Sequence, residues 1–373
     1  MSTATAPQHV FVVGAGVIGL STAIRAIEAG FAVSLVAETF PVDPKSIKYT
    51  SCWAGANHIS LVDMGERLHG FERVTFDTFV QLVEREPDVP VMVGPNRVHV
   101  QVFSADAKAT SDHFTRFYSD YRLLGENELP PGMKHGGEFT TASVPRLLSI
   151  HPVLRGGHAY RATLPSLTSL FTPSARPPFE PIGSEVSPPT APFDAVAVFN
   201  CTGLGALTLG DVMDSAMYPT RGETILLRAP WIKAGFSLTY EDGHITYVIP
   251  RKSGDVILGG TFQPNDWHPT SRPETVKLIK ERGIYAHPEL LPEEKRANGS
   301  IDDLDVIEEC VGLRTSRVGG VRVEMTSLVT AGDLTPVVHN YGHGGCGYQS
   351  SWGSAEAAVA ILLGALQKDN QRQ

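Results

Sequence analysis

"HVFVVGAGVIGLSTAIRAIEAGFAVSLVAE" occupies residues 9–38, and its reading decides the fold. "HVFVV" is an apolar run rich in β-branched residues, the composition of a buried strand. Gly14, Gly16 and Gly19 follow as G-x-G-x-x-G. "VIGLSTAIRAIEA" then carries a helical pattern, with Gly30 placed to cap its C-terminal end. "FAVSLVAE" is apolar again and reads as a second strand. The stretch is therefore one βαβ unit, the repeat from which doubly wound α/β sheets are built.

The three glycines have separate physical uses. Gly14 permits the tight turn, Gly16 lets a pyrophosphate approach the backbone, and Gly19 lets the helix pack on the strand. Ala15, Val17 and Ile18 contribute backbone to the same loop. Glu38 stands nineteen residues past Gly19, at the end of the second strand, with Thr39 beside it. A carboxylate there accepts ribose hydroxyls and repels a 2′-phosphate. The pattern fits NAD and FAD alike. A long dinucleotide gripped at several points suits FAD, and the chain returns to glycine turns twice more.

One of these is "FDAVAVFNCTGLGA" (193–206), a buried strand with a glycine turn. The other is "NYGHGGCGYQSSWG" (340–353), between the strand "TPVVHNYG" and the amphipathic run "SAEAAVAILLGAL". A glycine loop opening a helix is a ready anion site. Between the first glycine loop and the last the chain changes character. Residues 64–83 read as an amphipathic helix, "VPVMVG" and "VHVQVFS" as two strands, 140–157 as a helix and "AYRATLPSL" as a strand. Residues 172–192 hold seven prolines and read as a surface loop. "GETILLRA", "ITYVIPR", "DVILGGTF" and "GGVRVEMT", separated by glycine turns, point to an antiparallel sheet in a second lobe; "PETVKLIKERGIYA" adds a helix. The expected organisation is a discontinuous Rossmann-like cofactor domain of residues 1–60, 140–206 and 331–373, with an α+β domain of residues 61–139 and 207–330.

Composition narrows the classes. The 373 residues carry a net charge of −9, which disfavours a nucleic-acid surface. The longest apolar run, "AAVAILLGAL" (357–366), falls short of the roughly 18 residues of a membrane helix. Cys52, Cys201, Cys310 and Cys346 lie far apart without metal-ligand spacing, so no metal site and free thiols are expected. "MSTATAPQ" has no signal-peptide pattern and "DNQRQ" is not a Ser-Lys-Leu address.

Set in order along the chain, "VVGAGVIGLSTA", "SCWAGANH" (51–58), "NCTGLGA" (200–206), "YVIPR" (247–251), "LGGTFQPNDW" (258–267), "VGLRTSR" (311–317) and "VVHNYGHGGCGYQSSWG" (337–353) resemble the fungal branch of the D-amino-acid oxidase family. The resemblance implies a glutathione-reductase-like FAD domain with a substrate domain built on a largely antiparallel sheet. It implies FAD held non-covalently by Gly14–Gly19 and Glu38; by Thr50, Ser51, Ala54, Gly55, Ala56 and Asn57; by Leu164, Thr202 and Gly203; and by Gly344, Gly345, Cys346, Gly347, Tyr348 and Gln349. Tyr247 and Arg314 would clamp the substrate carboxylate, and the Gly345 carbonyl would accept from its amine, with Gln349 alongside. His58, Tyr240 and Phe262 would line the substrate pocket. The implied reaction converts a D-amino acid and dioxygen to a 2-oxo acid, ammonia and hydrogen peroxide. A homodimer and a peroxisomal address are implied as well, although without the Ser-Lys-Leu ending a cytoplasmic protein is the other reading.

The departures bear on the substrate. Phe262 replaces a tyrosine that some yeast members carry after "GGT", and an arginine that D-aspartate oxidases carry there. It favours neutral or apolar side chains, since an unpaired buried carboxylate is costly. The D-aspartate oxidase reading stays open through Lys233, His58 or Arg251 as other sources of positive charge. Gly243 stands where mammalian members carry a lid tyrosine, leaving Tyr240 as the nearest substitute. No general base is evident; His58 and His343 are candidates that also fit as scaffold. A thioether from Cys346 to the flavin is a further alternative to a packed thiol, and an NAD-dependent dehydrogenase is the more distant one.

Overall fold

The computed structural model describes residues 6–60, 65–86, 88, 91–100, 112–143, 157–172, 177–182, 195–330 and 333–371. The chain divides into two compact units. The first comprises Met1–Cys52, Leu147–Pro219 and Arg314–Gln373; the second comprises Trp53–Arg146 and Thr220–Leu313. The boundaries therefore fall before residue 53 and after residues 146, 219 and 313, not at 60, 140, 206 and 330.

The first unit holds a seven-stranded sheet built from β1 (His9–Val13), β2 (Ala32–Ala37), β6 (Gly157–Arg161), β7 (Glu180–Pro181), β8 (Ala195–Asn200), β15 (Arg322–Thr330) and β16 (Asp333–Tyr341). Its order is β15-β16-β8-β1-β2-β6-β7. The middle five strands run parallel, and the two edges, β15 and β7, run antiparallel. β1 is buried on both faces, which explains its unbroken apolar sequence. Phe11, Val13, Val36, Val198 and Val337 pack one face with Leu167 and Leu170. Helices α1 (Val17–Glu28) and α4 (Gly347–Asn370) pack against one another, and Ser21, Thr22, Ala23 and Ala26 of α1 are buried. Small residues there let the helix backbones approach.

The second unit carries β3 (Met92–Val100), β4 (Arg122–Leu123), β5 (His135–Ser143), β10 (Gly235–Thr239), β11 (Ile245–Pro250), β12 (Asp255–Gly259) and β13 (Gln263–Pro264), with helices α2 (Gly65–Arg85) and α3 (Pro273–Ala286). β9 (Met217–Arg228) and β14 (Val306–Arg317) complete its sheet, and the chain crosses from one unit to the other within them. β13, β9, β12, β11 and β10 pair antiparallel in turn, as do β3, β5 and β4, and β3 runs parallel to β10. The pleat gives each strand two faces. Ile225, Leu227, Phe236, Leu238, Val248, Val256 and Leu258 meet Val276 and Ile279 of α3. Leu226, Tyr247, Ile249 and Ile257 turn the other way, with Trp53 and Cys310.

Several elements depart from the sequence expectation. β3 is one strand rather than two, running through Pro95. It tolerates the proline because pairing with β10 begins only at Asn96, so the missing N–H breaks no rung on that side. Residues 140–143 close β5 instead of opening a helix; residues 144–156, and the ends of the second "VHVQVFS" strand and of the proline-rich loop, lie outside the described residues. β6 ends at Arg161, so the strand expected through Leu167 is half its expected length. "GGVRVEMT" forms β15, an edge of the first unit's sheet and not part of the second lobe. Alternation identifies a half-exposed strand but does not say which sheet recruits it.

Candidate active site

β1 delivers the chain into a turn where Gly14 has φ +104°, a conformation suited to glycine. A Cβ on Gly14 would lie 2.4 Å from the Cys201 carbonyl oxygen, and one on Gly19 only 1.8 Å from the Gly14 carbonyl oxygen. Both glycines therefore make room for backbone. Gly16, the residue before α1, offers no side-chain cap, and the first turn of the helix has no acid. This leaves the positive helix end for an anionic ligand. The Tyr49 hydroxyl donates to the Ala15 carbonyl at 2.6 Å and the Val17 N–H donates to Ser51 Oγ at 3.0 Å, so residues 49–51 fasten the loop.

At the far end of the sequence, β16 turns through Gly342 (φ +87°) and Gly344 (φ +56°) into α4. The Gly344 N–H donates to the Thr315 carbonyl at 3.0 Å. A Cβ on Gly345 would sit 3.6 Å from Arg314 Cδ, so the arginine stem lies along this loop. Arg314 is half-buried, and Cys346, Tyr348 and Gln349 are buried. The Tyr348 hydroxyl donates to the Ser51 carbonyl at 3.0 Å. Ser51 thus receives a helix N–H on its side chain and a phenol on its backbone, joining loops more than 300 residues apart in the sequence. The third turn follows β8: Thr202 donates to Asn200 Oδ1 at 2.8 Å, and Gly203 (φ +58°) leaves 3.0 Å between an added Cβ and Thr315 Cγ2. Leu164 packs partly buried on the cluster of Phe11 and Val13. Glu38 is exposed at the end of β2, where its Oε1 accepts from Lys48 Nζ at 2.8 Å.

His343 is scaffold. Its Nε2 pairs with the Ser354 hydroxyl at 3.1 Å, and complete burial pushes its pKa down to about 3. The ring is neutral at ordinary pH and holds the loop to α4.

In the second unit Tyr247 stands on β11 opposite Gly259. Cβ atoms on Gly259 and Gly260 would lie 2.3 Å and 2.6 Å from the Tyr247 side chain. The "GGT" signature is therefore the seat of this ring. The next segment is fixed from behind by a buried ion pair. Arg221 NH1 donates to Glu223 Oε1 at 2.6 Å, and the two side chains are 0% and 1% exposed. Arg221 also donates to Gln263 Oε1 and to the carbonyls of His268 and Thr270; the Arg272 N–H donates to Glu223 Oε2. The Glu223 N–H donates to Thr261 Oγ1 at 2.9 Å. The sequence signal was present in "PTRGETILL" (219–227): two opposite charges at i and i+2 share one face of an otherwise uncharged stretch of strand.

Two expected pocket residues are placed otherwise. His58 is buried, with Nε2 donating to the Glu72 carbonyl and Nδ1 paired with the Tyr118 hydroxyl; burial lowers its pKa to about 4. It carries no charge at neutral pH and faces an aromatic cluster. Tyr240 packs against the α3-side core, with the Arg282 guanidinium 5.5 Å from its ring and Thr246 donating to its hydroxyl. Ser237 pairs with Tyr247 and Leu238 with Thr246, so Tyr240 shares the face of Leu238, opposite to that of Tyr247. It is no substitute for a lid tyrosine on the Tyr247 side. Phe262 is 67% exposed. Ala54–Asn57 belong to the second unit, where Arg251 donates to the Ala54 carbonyl and a Cβ on Gly55 would meet Ile249 Cδ1 at 2.5 Å.

The donor set of the first unit fits a dinucleotide. It combines a helix end preceded by glycine and without an acid in its first turn, a carboxylate one strand over, and a second glycine loop fastened to the first through Ser51. A family model described as FAD dependent oxidoreductase matches residues 181–361. The chain is 35% identical to a D-aspartate oxidase of Cryptococcus neoformans var. grubii, over 96% of this chain and 97% of that one. It is 32% identical to a D-amino-acid oxidase of Schizosaccharomyces pombe, over 97% and 98%. Among solved structures, the glycine oxidase of Bacillus cereus superposes with a TM-score of 0.66 at 17% identity, covering 96% of this chain and 95% of that one, a likeness of fold. With two relatives above 30% identity along nearly their whole length, the chain belongs to the D-amino-acid oxidase family of FAD-dependent oxidoreductases.

Proposed function

We propose that the chain oxidises D-amino acids with neutral side chains. A D-amino acid, dioxygen and water become a 2-oxo acid, ammonia and hydrogen peroxide. FAD, held non-covalently, would supply the two-electron redox chemistry between the amino acid and dioxygen. The chain's own residues bind and align. Arg314 grips the carboxylate through two parallel N–H donors, and Tyr247 is a hydroxyl donor for the substrate. The Gly345 carbonyl accepts from the uncharged amine, and Gln349 closes the loop beside it. The supporting observation is that Arg314 lies against Gly345, on the loop that opens α4. His58 and His343 are buried and neutral, which supports a mechanism without a histidine base.

The D-aspartate reading draws on the relative of that name. Two of its three other sources of positive charge, Arg251 and His58, argue against it, while Lys233 is exposed. Arg221 is consumed by Glu223, Arg272 by Asp266 at 2.7 Å, and Arg251 donates to Ala54, while His58 is neutral. Phe262 adds apolar surface to that segment. The test is peroxide release across both enantiomers of a panel including alanine, methionine and aspartate. Expected is turnover of neutral D-amino acids only, with Arg314→Ala lowering kcat/KM by about 100-fold or more, on the order of 3 kcal/mol. Preference for D-aspartate, or an Arg314→Ala enzyme of normal kcat/KM, overturns the corresponding part.

A further inference from the structure

We propose that Arg161 and Asp43 form a positioning clamp for the adenosine end of the cofactor, holding the 38–49 excursion so that Glu38 meets the ribose; this rests on the FAD reading above. Arg161 is the last residue of β6 and pairs in register with Ala37, the residue before Glu38. It stands at the C-terminal edge of the parallel strands, where ligands of open α/β sheets bind. Its guanidinium makes three bonds. NH1 and NH2 donate to Asp43 Oδ2 and Oδ1 at 2.7 and 2.6 Å, a bidentate pair, and NH1 also donates to the Glu38 carbonyl at 2.9 Å. Asp43 returns the favour to the chain by accepting the Phe40 N–H at 2.8 Å, and the Asp43 N–H donates to the Phe40 carbonyl at 3.1 Å. Phe40 is 1% exposed, and the guanidinium lies 5.5 Å from its ring.

The excursion is therefore nailed at both ends. Its start is fixed by Arg161 on the backbone of Glu38 and on Asp43. Its return is fixed to the G-x-G-x-x-G loop by Tyr49 on Ala15 and by Ser51 on Val17. Lys48, from the same excursion, reaches across to the Glu38 carboxylate. The two contacts on Glu38 differ in kind. Arg161 holds its backbone carbonyl with a single N–H, and the partly buried bidentate pair with Asp43 fixes the guanidinium that gives it, which aims the side chain. Lys48 makes one exposed ion pair, which water and a ribose hydroxyl readily replace. The Arg161 hydrogen bonds hold the Asp43 carboxyl below the usual carboxylate range, so the clamp stays charged through the neutral range.

The experiment measures the FAD dissociation constant of stripped protein by flavin fluorescence. Arg161→Gln and Asp43→Asn are each expected to weaken FAD by about tenfold or more, and Lys48→Met by less than about threefold. If Arg161 acts through Glu38, its loss is not additive with Glu38→Gln: in the Glu38→Gln background Arg161→Gln should cost less than about twofold. A full loss in that background overturns the proposal in favour of general destabilisation. Parental affinity in folded Arg161→Gln overturns it outright. Should Arg161→Gln not fold, Asp43→Asn, which keeps shape and an acceptor, decides on the same criterion. A parent chain that takes up no FAD removes the reading beneath, whereas a parent that binds FAD and variants that bind it equally well remove the clamp alone.

Discussion

The glycine loops of the first unit and the segment after Gly260 in the second are fastened in opposite ways. In the first, Gly14 and Gly19 make room for carbonyl oxygens, and hydroxyls of Tyr49, Ser51 and Tyr348 tie the loops with neutral hydrogen bonds. In the second, Gly259 and Gly260 make room for the Tyr247 ring, and the segment beyond them hangs on the buried Arg221–Glu223 pair. Neutral bonds each contribute on the order of 1 kcal/mol and their loss is local. A buried ion pair contributes little net, but removal of one member leaves a charge without its partner in an apolar interior.

The largest effect therefore belongs to Arg221. Arg221→Met leaves Glu223 buried beside an apolar side chain and should lower stability by about 3–5 kcal/mol in urea unfolding. Replacing both members, Arg221→Met with Glu223→Leu, should recover most of that loss. A single variant within about 1 kcal/mol of the parent would sink the contrast between the units.

A smaller effect separates the glycines. Gly19→Ala must push backbone against backbone, whereas Gly259→Ala pushes only a ring that can turn. Both belong to the overpacking range of about 1–3 kcal/mol, with Gly19→Ala at or above its top. The readouts should divide. Gly19→Ala weakens FAD, while Gly259→Ala keeps FAD affinity and raises the KM for a neutral D-amino acid by displacing Tyr247. Equal loss of FAD affinity in both would remove the distinction.

The same contrast explains what the sequence made legible. Residues 9–38 carry their fold in local pattern, because a buried parallel strand, a glycine turn and a helix each leave a periodic signature. The three glycine turns could be found in the same way. Faces and partners were harder. Tyr240 and Tyr247 are both tyrosines near strand ends, and only the register Ser237–Tyr247 shows that they look in opposite directions. β15 carries a strand pattern that suits either sheet. Arg161 and Asp43 are 118 residues apart, and no short-range rule joins them. His58 lies in a motif whose neighbours suggest a pocket, yet Tyr118 and Glu72, distant in sequence, draw it inward.

The smallest expected effect is the one that best resolves the first unit. Ser51 serves two loops with two different groups: its hydroxyl receives the Val17 N–H, and its backbone carbonyl receives the Tyr348 hydroxyl. Ser51→Ala removes only the first contact, because the carbonyl remains. The loss resembles that of a helix cap, about 1 kcal/mol, since one donor of the first turn of α1 is left without its serine. Tyr348→Phe removes only the second. If the loops are joined through this residue, Ser51→Ala together with Tyr348→Phe should cost less than the sum of the single changes, by about 0.5 kcal/mol or more in chemical unfolding, because either change alone already loosens the other contact. Strict additivity would mean that the two glycine loops are held independently, and that their meeting on residue 51 carries no coupling.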